Sequence, residues 1–396
     1  MDNSLSARFN RIQTIALGVA IGGAILAFIG AFVNIDRFFQ TYLVGYMVWL
    51  NMTLGCVGFL IVLYLVNGRW GFATQRVFAA GARIVPLMAI LFLPILFRLP
   101  QLYPWAAETG VNGSGYDAYH AMPFFIIRMI SYFVIWGAAG WYLSSRTYES
   151  DDFDAPNPER YRGDQRIAAG FMVLLMVTMT FASFDLVMSV TDGWFSTVFG
   201  WLTLTQAGML AMCFALITVF VMPKEGKLGE VFNLQTQFDI STLMLVMLMA
   251  WTYLTVIQYF IMWAGNQPSK VKFYDPRTTG SWESWVFFLT LLHAIPLLLL
   301  LTPTLKRNQP FMIFLGGWLI VARVAEMIWL IIPAYSKDSA IISLWDVGMP
   351  IALGGVWVAA FIYFYKQRPF VPANHPHLEE ALHHGHPEHL EGASTT

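Results

Sequence analysis

Apolar residues are gathered in ten long runs, and shorter polar segments separate them. Each run reaches about 20 residues, the length that a helix needs to cross the hydrocarbon core of a bilayer. Trp, Tyr and Phe cluster at the ends of the runs, as they do in the interfacial belts of membrane proteins. The pattern predicts ten transmembrane helices, at residues 12–33, 42–66, 78–98, 121–143, 166–190, 196–222, 237–264, 283–302, 310–332 and 345–365.

The composition of the chain agrees with this pattern. Of its 396 residues, 57% are hydrophobic and 12% are charged, whereas soluble proteins carry roughly 25% charged residues. The mean hydropathy is +0.58, and a net charge of −1 argues against nucleic acid as a partner. We therefore expect an all-α, multi-pass membrane protein surrounded by lipid, with residues 1–368 as one membrane domain.

Residues 369–396 differ in kind from the rest of the chain. They hold six of the eight histidines, interspersed with Pro and Gly. Such a composition is typical of a disordered, solvated tail, and the alternative is loose metal binding. We expect a disordered tail.

The distribution of basic residues predicts the orientation of the chain. Thirteen Lys and Arg residues, Arg76 among them, lie in connections on the side of the N-terminus, and five, including Arg277, lie on the other side. Because basic connections tend to stay in the cytoplasm, both termini are expected to be cytoplasmic. An even number of spans requires the two termini to share a side.

Ionisable residues inside the spans are the candidate functional residues, because a charge at membrane depth is costly unless it is paired or functional. A helix rises about 1.5 Å per residue, so the residue numbers convert into depths. Arg83 and Asp239 fall nearer the cytoplasm. The others fall in the outer half or near the midplane, and they are Arg128, Asp185, His293, Arg323 and Glu326. This layout could supply two half-paths for protons, one from each face.

Each candidate also has a structural interpretation. Arg323 and Glu326 are three residues apart, share a helix face, and could form an ion pair that holds helices together. His293 could be a histidine whose hydrogen bonds are satisfied within a bundle. Asp185 is an acid deep in a span, which favours proton or quinone chemistry. The side chains of Arg83 and Asp239 could extend to the membrane–water interface.

The sequence predicts no metal centre and assigns no catalytic residue. Cys56 and Cys213 are far apart and belong to no C-x-x-C or haem-attachment pattern. His120 at the surface and His293 near the midplane differ in depth, which argues against a haem held by both. We therefore expect no covalently bound cofactor, no haem and no iron–sulfur cluster in this chain.

Three prolines lie inside the predicted helices, namely Pro86, Pro94 and Pro296. Each frees a backbone carbonyl one turn earlier, and a carbonyl freed at depth can accept a hydrogen bond from a side chain. Pro296 lies three residues from His293, so the eighth predicted helix is expected to bend near that polar residue.

Three stretches of the chain resemble one known family. They read T-F-A-S-F-D-L-V-M-S-V-T-D-G-W-F-S-T-V-F-G-W at 180–201, W-T-Y-L-T-V-I-Q-Y-F-I-M-W-A-G-N-Q-P at 251–268 and P-L-L-L-L-L-T-P-T-L-K-R-N at 296–308. They are similar to membrane subunits of bacterial alternative complex III, in particular those of the smaller ActF type. That family is related to the membrane subunits of NrfD and polysulfide reductase.

The resemblance implies a fold of two four-helix bundles with two flanking helices in the bacterial cytoplasmic membrane. It implies a quinol:electron-acceptor oxidoreductase in which this chain supports quinol oxidation by partners and conducts protons through its buried charges. The implied partners are a multihaem cytochrome c subunit, an iron–sulfur subunit, an ActC-like sister membrane subunit and other small membrane subunits. The implied quinone is menaquinone or ubiquinone, and Asp185 matches the Asp of the family's F-D-L-x-M-S segment.

Three other functions stay open from the sequence. The chain could be a quinone-binding catalytic subunit in its own right, so its status as an enzyme is undecided. It could be a secondary transporter, which inverted repeats and broken helices around a midplane site would favour. It could also be a structural anchor, which would follow if every buried charge is paired.

Overall fold

The computed structural model describes residues 3–66, 68, 70–107, 115–149, 151, 157–221, 232–337 and 340–368, and the predicted tail at 369–396 lies outside them. No strand occurs in these ranges. Their long helices are α1 (Asn3–Val33), α2 (Ile35–Val66), α3 (Gly71–Ala82), α4 (Val85–Leu96), α5 (Met122–Glu149), α6 (Pro158–Leu186), α7 (Phe199–Val221), α8 (Leu234–Gly265), α9 (Trp282–Leu300), α10 (Gln309–Ile331) and α11 (Gly348–Tyr365). Short helical segments lie between them, at Leu99–Leu102, Pro104–Ala107, Gly115–His120, Met188–Val190, Pro268–Val271, Asp275–Thr278, Pro303–Lys306, Ile332–Ala334 and Leu344–Val347.

The prediction of an all-α, multi-pass membrane protein is confirmed. Across the described ranges, nine helices are long and apolar enough to cross a membrane. Helices α3 and α4, which are bent by 41° at their break, bring the number to ten if the pair is one span. Several helices continue past the apolar runs. For example, α5 extends to Glu149 and α6 begins at Pro158, because a helix does not have to end where the hydrocarbon does.

The third span is broken between α3 and α4, at Arg83 and Ile84. Pro86 follows directly and has no backbone N–H, so the carbonyl of Ala82 loses its helical partner. Close packing accompanies the break, since a Cβ added at Gly140 of α5 would lie 2.7 Å from the oxygen of Ala82. The proline pattern alone did not distinguish this break from a continuous helix.

Helix α9, in contrast, continues through its proline. Pro296 lies inside the helix and frees the carbonyl of Leu292, four residues earlier. Trp318 Nε1 donates a hydrogen bond to that oxygen at 2.9 Å. The predicted hydrogen bond to a freed carbonyl is therefore present in the second half of the chain.

The helices pack as two four-helix bundles and two flanking helices. Helices α2, α3–α4, α5 and α6 form the first bundle, α7 to α10 form the second, and α1 with α11 flank them. The bundles meet where α2 crosses α7, and a Cβ at Gly55 would lie 2.0 Å from the oxygen of Ala207. Such a close approach of two backbones requires a glycine.

Both ends of the membrane domain lie on one side. The rings of Phe9 and Tyr365 are 6.0 Å apart, and Lys366 Nζ donates to Asn10 Oδ1 at 3.0 Å. We call this the terminal side and the opposite one the loop side. Two ends on one side agree with an even number of spans, and the cytoplasmic location of the terminal side stays a prediction.

Candidate functional site

The seven candidate residues lie in three places. Arg128 and Asp185 meet inside the first bundle. A second group, of His293, Arg323 and Glu326, lies inside the second bundle. The remaining two, Arg83 and Asp239, lie apart from both groups and towards the terminal side.

The first-bundle cluster consists of Tyr119, Arg128, Tyr132 and Asp185. Arg128 Nε and Nη2 donate to the two carboxylate oxygens of Asp185, at 3.1 and 2.7 Å. Tyr132 Oη donates to Asp185 Oδ2 at 3.0 Å. Arg128 Nη1 donates to the backbone oxygen of Tyr119 at 2.6 Å, and the Tyr119 ring lies over the guanidinium, 3.8 Å from Cζ. Asp185 is 0% exposed.

Helical spacing builds this cluster. Arg128 and Tyr132 are four residues apart on α5 and therefore share a face, while Asp185 lies in the last turn of α6. Tyr119 belongs to the short helix before α5, where burial raises the pKa of its phenol, with the Asp185 charge adding to the effect. Both carboxylate oxygens and all three guanidinium nitrogens have partners, whereas the buried hydroxyl of Tyr119 has none among the described residues. The ion pair of Arg128 and Asp185 is therefore closed.

The second-bundle cluster consists of Gln206, Trp251, His293, Arg323 and Glu326, and each of the four helices contributes to it. Glu326 Oε1 accepts hydrogen bonds from Gln206 Nε2 at 3.0 Å and from Trp251 Nε1 at 2.7 Å. Glu326 Oε2 accepts from Arg323 Nη1 at 2.6 Å. The Trp251 ring lies 4.3 Å from Arg323 Cζ and stacks on the His293 ring at 4.1 Å.

The backbone holds His293 in one tautomer. Its Nδ1 lies 2.8 Å from the oxygen of Leu289. A carbonyl oxygen only accepts, so Nδ1 carries the proton, and Nε2 of the neutral ring offers a lone pair. Within the described ranges, this Nε2 and the Nε and Nη2 of Arg323 have no hydrogen-bond partner although they are buried. The cluster therefore keeps two donor nitrogens and one acceptor nitrogen open.

Both clusters lie in the loop-side half of the membrane domain. Glu326 precedes the end of α10 by five residues, or about 8 Å, and Arg128 lies about 9 Å from the start of α5. No hydrogen bond or ion pair between described residues joins the two clusters. The buried charges thus form two separate groups.

Arg83 and Asp239 make local contacts on the terminal-side half. Arg83 lies at the break between α3 and α4, and its Nε and Nη2 donate to the hydroxyls of Ser144 and Ser145 at 2.9 and 3.1 Å. Asp239 accepts from Gln235, one turn earlier on α8, at 2.9 Å. These contacts suit a structural role for both residues.

Two arginines that the sequence places in connections between the spans are buried. Arg76 is 2% exposed and pairs with Asp151 at 2.5 Å, and Arg277 is 0% exposed. Arg277 follows the turn pair Asp275-Pro276, which indicates an ordered turn but gives no sign of burial. Gln206 and Trp251 were missed because the sequence was searched for ionisable groups, whereas their neutral donors complete the Glu326 site.

An apolar groove of about 280 Å³ lies among α2, α6, α7 and α8. Its lining includes one hydroxyl, that of Thr205, which already donates to the oxygen of Leu202 at 2.8 Å. The lining also contains the indole of Trp201, and its other side chains are apolar, so the groove suits an apolar chain. Four methionines contribute to the lining, namely Met172, Met176, Met179 and Met247.

Comparison of the chain with models of known protein families gave no match, and comparison with curated proteins gave none either. In the part of the chain that the structure describes, no group of three or more His, Cys, Asp or Glu residues is placed to hold a metal ion. An assignment of function therefore rests on the two clusters and on the three stretches of sequence that resemble a family.

Proposed function

We propose that this chain is a membrane subunit of a quinol:electron-acceptor oxidoreductase of the alternative complex III type. The sequence stretches at 180–201, 251–268 and 296–308 support this proposal. The packing of two four-helix bundles with two flanking helices is what the resemblance leads one to expect. In this proposal the terminal side faces the bacterial cytoplasm, and the partners on the loop side carry the haems and iron–sulfur clusters.

We propose that this chain accepts and releases protons. The second-bundle cluster is the main support for this role. A carboxylate, a guanidinium and an imidazole meet there in the interior of a membrane bundle. Three of their nitrogens keep unused hydrogen-bonding capacity. A buried polar network that serves packing alone is stabilised by using all its donors and acceptors, so a network with open ones favours exchange.

Within this cluster, His293 Nε2 is the atom best placed to hold an exchanged proton. The two oxygens of Glu326 already accept three hydrogen bonds, whereas Nε2 keeps its lone pair. Stacking on Trp251 holds the imidazole in place while its charge changes. Quinol oxidation by a partner subunit inside the membrane releases protons, and a positioned base of this kind can accept one.

The first-bundle cluster has a different role in this proposal. Every polar atom of the Arg128 guanidinium and the Asp185 carboxylate is engaged. This bidentate ion pair lies in a buried place, and loss of either partner is strongly unfavourable. We therefore assign to this cluster the fastening of α5 to α6.

Purification of the chain with its neighbours tests the proposal. The membrane is solubilised gently, the chain is isolated by an affinity tag, and co-purifying proteins are identified by mass spectrometry. We expect a multihaem cytochrome c, an iron–sulfur protein and an ActC-like membrane subunit, together with quinol oxidation by the purified assembly. Recovery of the intact chain without the cytochrome and the iron–sulfur protein would refute the proposal.

The break between α3 and α4 is the feature that favours a secondary transporter, since such proteins bind substrate at broken helices of related repeats. The corresponding second helix of the other bundle is α8, which is continuous from Leu234 to Gly265. The break itself is filled by Arg83 and two serine hydroxyls. These contacts leave the subunit proposal as the better account.

A further inference from the structure

Arg277 is a buried cation on the loop side of the second bundle. Its Nη1 donates to the oxygen of Phe273 at 2.5 Å, and its Nη2 donates to the oxygen of Leu330 at 2.6 Å. The hydroxyl of Thr191 lies 3.4 Å from Nη2. The side chain thus joins the end of α10 to the connections at 187–198 and 266–281.

The charge of Arg277 has no carboxylate beside it in the part of the chain that the structure describes. Among the described residues, no Asp or Glu oxygen lies within 4 Å of its guanidinium, whereas Arg128 and Arg323 each have one. Its acceptors are neutral carbonyls and a hydroxyl, and its Nε has no partner in the same ranges. Burial lowers the pKa of Arg277 to about 9, which leaves the group positively charged at neutral pH.

The position of this charge relative to the second-bundle cluster is well defined. Leu330, whose oxygen binds Arg277, lies four residues after Glu326 on α10 and therefore on the same helix face. The spacing corresponds to about 6 Å along the helix axis, towards the loop side. Trp329 Nε1 donates to the backbone oxygen of Arg277 at 3.0 Å and fixes the turn against α10. Arg277 therefore lies against the loop-side end of the helix that carries Glu326.

We propose that Arg277 is an electrostatic barrier that keeps protons and other cations from crossing between the loop side and the second-bundle cluster. The inference rests on the proposed function in one respect, namely that the cluster exchanges protons. An unbalanced charge in a site of low dielectric repels a cation several ångströms away far more strongly than it would in water. Fixed arginine charges exclude protons and cations from membrane pores by the same physics.

The decisive variants change the charge balance and leave Arg277 in place. Thr191→Asp puts a carboxylate beside the guanidinium, and Thr191→Asn is its neutral control of the same shape. The purified chain or complex is reconstituted in liposomes that hold a pH-sensitive dye, and a potassium gradient with valinomycin drives protons inward. We expect Thr191→Asp to increase proton influx about tenfold or more, while Thr191→Asn stays as tight as the unaltered protein.

A second pair of variants acts on the arginine itself. The Arg277→Gln protein should show the same increased proton influx as Thr191→Asp. The Arg277→Lys protein, which keeps the charge, should show the proton influx of the unaltered protein. If Arg277→Gln fails to fold, the Thr191 pair decides the matter, because it keeps the guanidinium and its backbone contacts. A folded Thr191→Asp protein that is as tight as Thr191→Asn would overturn the proposal.

A third comparison tests whether Arg277 limits the access of protons to the second-bundle cluster. Adding His293→Phe to Thr191→Asp should return proton influx towards the level of the unaltered protein. An undiminished leak in the double variant would overturn the link between Arg277 and the cluster. The leak is measured without quinol or partner subunits, so its outcome is separate from the co-purification result that tests the assignment to a quinol-oxidising complex.

Discussion

The two bundles each bury an arginine–carboxylate pair, and the pairs are built differently. In the first bundle, Arg128 on α5 meets Asp185 on α6 through two parallel hydrogen bonds. In the second, Arg323 and Glu326 lie three residues apart on one helix and share a single contact. The first pair joins two helices and is fully used. The second joins none by itself, and the neutral donors of α7 and α8 bring the other helices to it.

The two pairs look alike in the sequence, but their geometry suits one to holding helices together and the other to exchanging protons. A bidentate pair between helices fixes their separation and rotation, and loss of either partner is strongly unfavourable. A pair within one helix contributes little to holding helices together, and it leaves guanidinium nitrogens for other partners. The open nitrogens of the second cluster therefore mark it as the place where protons can be exchanged.

The largest expected effect is on the ion pair of Arg128 and Asp185, which holds α5 against α6. Asp185→Asn should lower the free energy of unfolding by about 3–5 kcal/mol, because it leaves the Arg128 charge buried and unpaired. The measurement is denaturant unfolding in detergent micelles, followed by tryptophan fluorescence. The double variant Arg128→Met with Asp185→Leu removes both charges and should regain most of the loss. A single variant within about 1 kcal/mol of the unaltered protein would contradict the fastening role.

A smaller effect compares two buried tryptophans. Trp251 Nε1 donates to the Glu326 carboxylate at 2.7 Å, and Trp136 Nε1 donates to the Thr178 hydroxyl at 2.8 Å. Trp251→Phe should cost about 1.5–3 kcal/mol of unfolding free energy and Trp136→Phe about 0.5–1.5 kcal/mol, because hydrogen bonds to charged groups are stronger. Equal costs, measured by the same unfolding assay, would show that Glu326 carries no full charge.

The next prediction concerns turnover. His293→Phe should slow quinol oxidation by the purified assembly about tenfold, which corresponds to about 1.4 kcal/mol in the activation free energy, because Nε2 can no longer accept a proton. The matched control is His120→Phe, since the His120 ring packs against Trp105 with the centroids 5.3 Å apart. It also contacts the Tyr119 ring, but it touches no residue of the second-bundle cluster in the described ranges. Its turnover should not change. Equal rates for the two variants would assign His293 to packing.

The smallest effect is expected at the break in the third span. Arg83→Lys loses the forked contact with Ser144 and Ser145 and keeps the charge. We expect a loss of about 1 kcal/mol or less in the free energy of unfolding, with unchanged turnover. A large loss of turnover would place this residue on a proton path and would connect the two halves of the membrane domain.

The long apolar helices could be predicted because the length of an apolar run is a local property of the sequence. The break in the third span could not, since Pro86 and Pro296 both interrupt a helix pattern and only the first accompanies a break. The outcome depends on what packs beside the proline. Gly140 lets α5 approach the freed carbonyl of Ala82, and no local pattern in the third span contains that information.

The same limit applies to the polar clusters. The pair of Arg323 and Glu326 could be predicted from its spacing on one helix. The pair of Arg128 and Asp185 depends on how α6 is rotated against α5, which the apolar pattern leaves undetermined. The sequence places Arg277 in a connection and gives no sign of its burial, because burial of a connection depends on tertiary packing. In the structure, Arg277 contacts Thr191, Leu330 and Trp329 and is buried there.

The contact between α1 and α11 sets an order of events during synthesis. A Cβ at Gly355 of α11 would lie 2.5 Å from the oxygen of Ala16, so the two helices need each other's small residues for their packing. Gln13 and Lys366, which also meet there, are 353 residues apart. At roughly 5–20 residues per second, the ribosome makes the intervening chain in roughly 20–70 s. During that time α1 resides in the bilayer without α11. In a chain truncated before α11, α1 would never gain this partner.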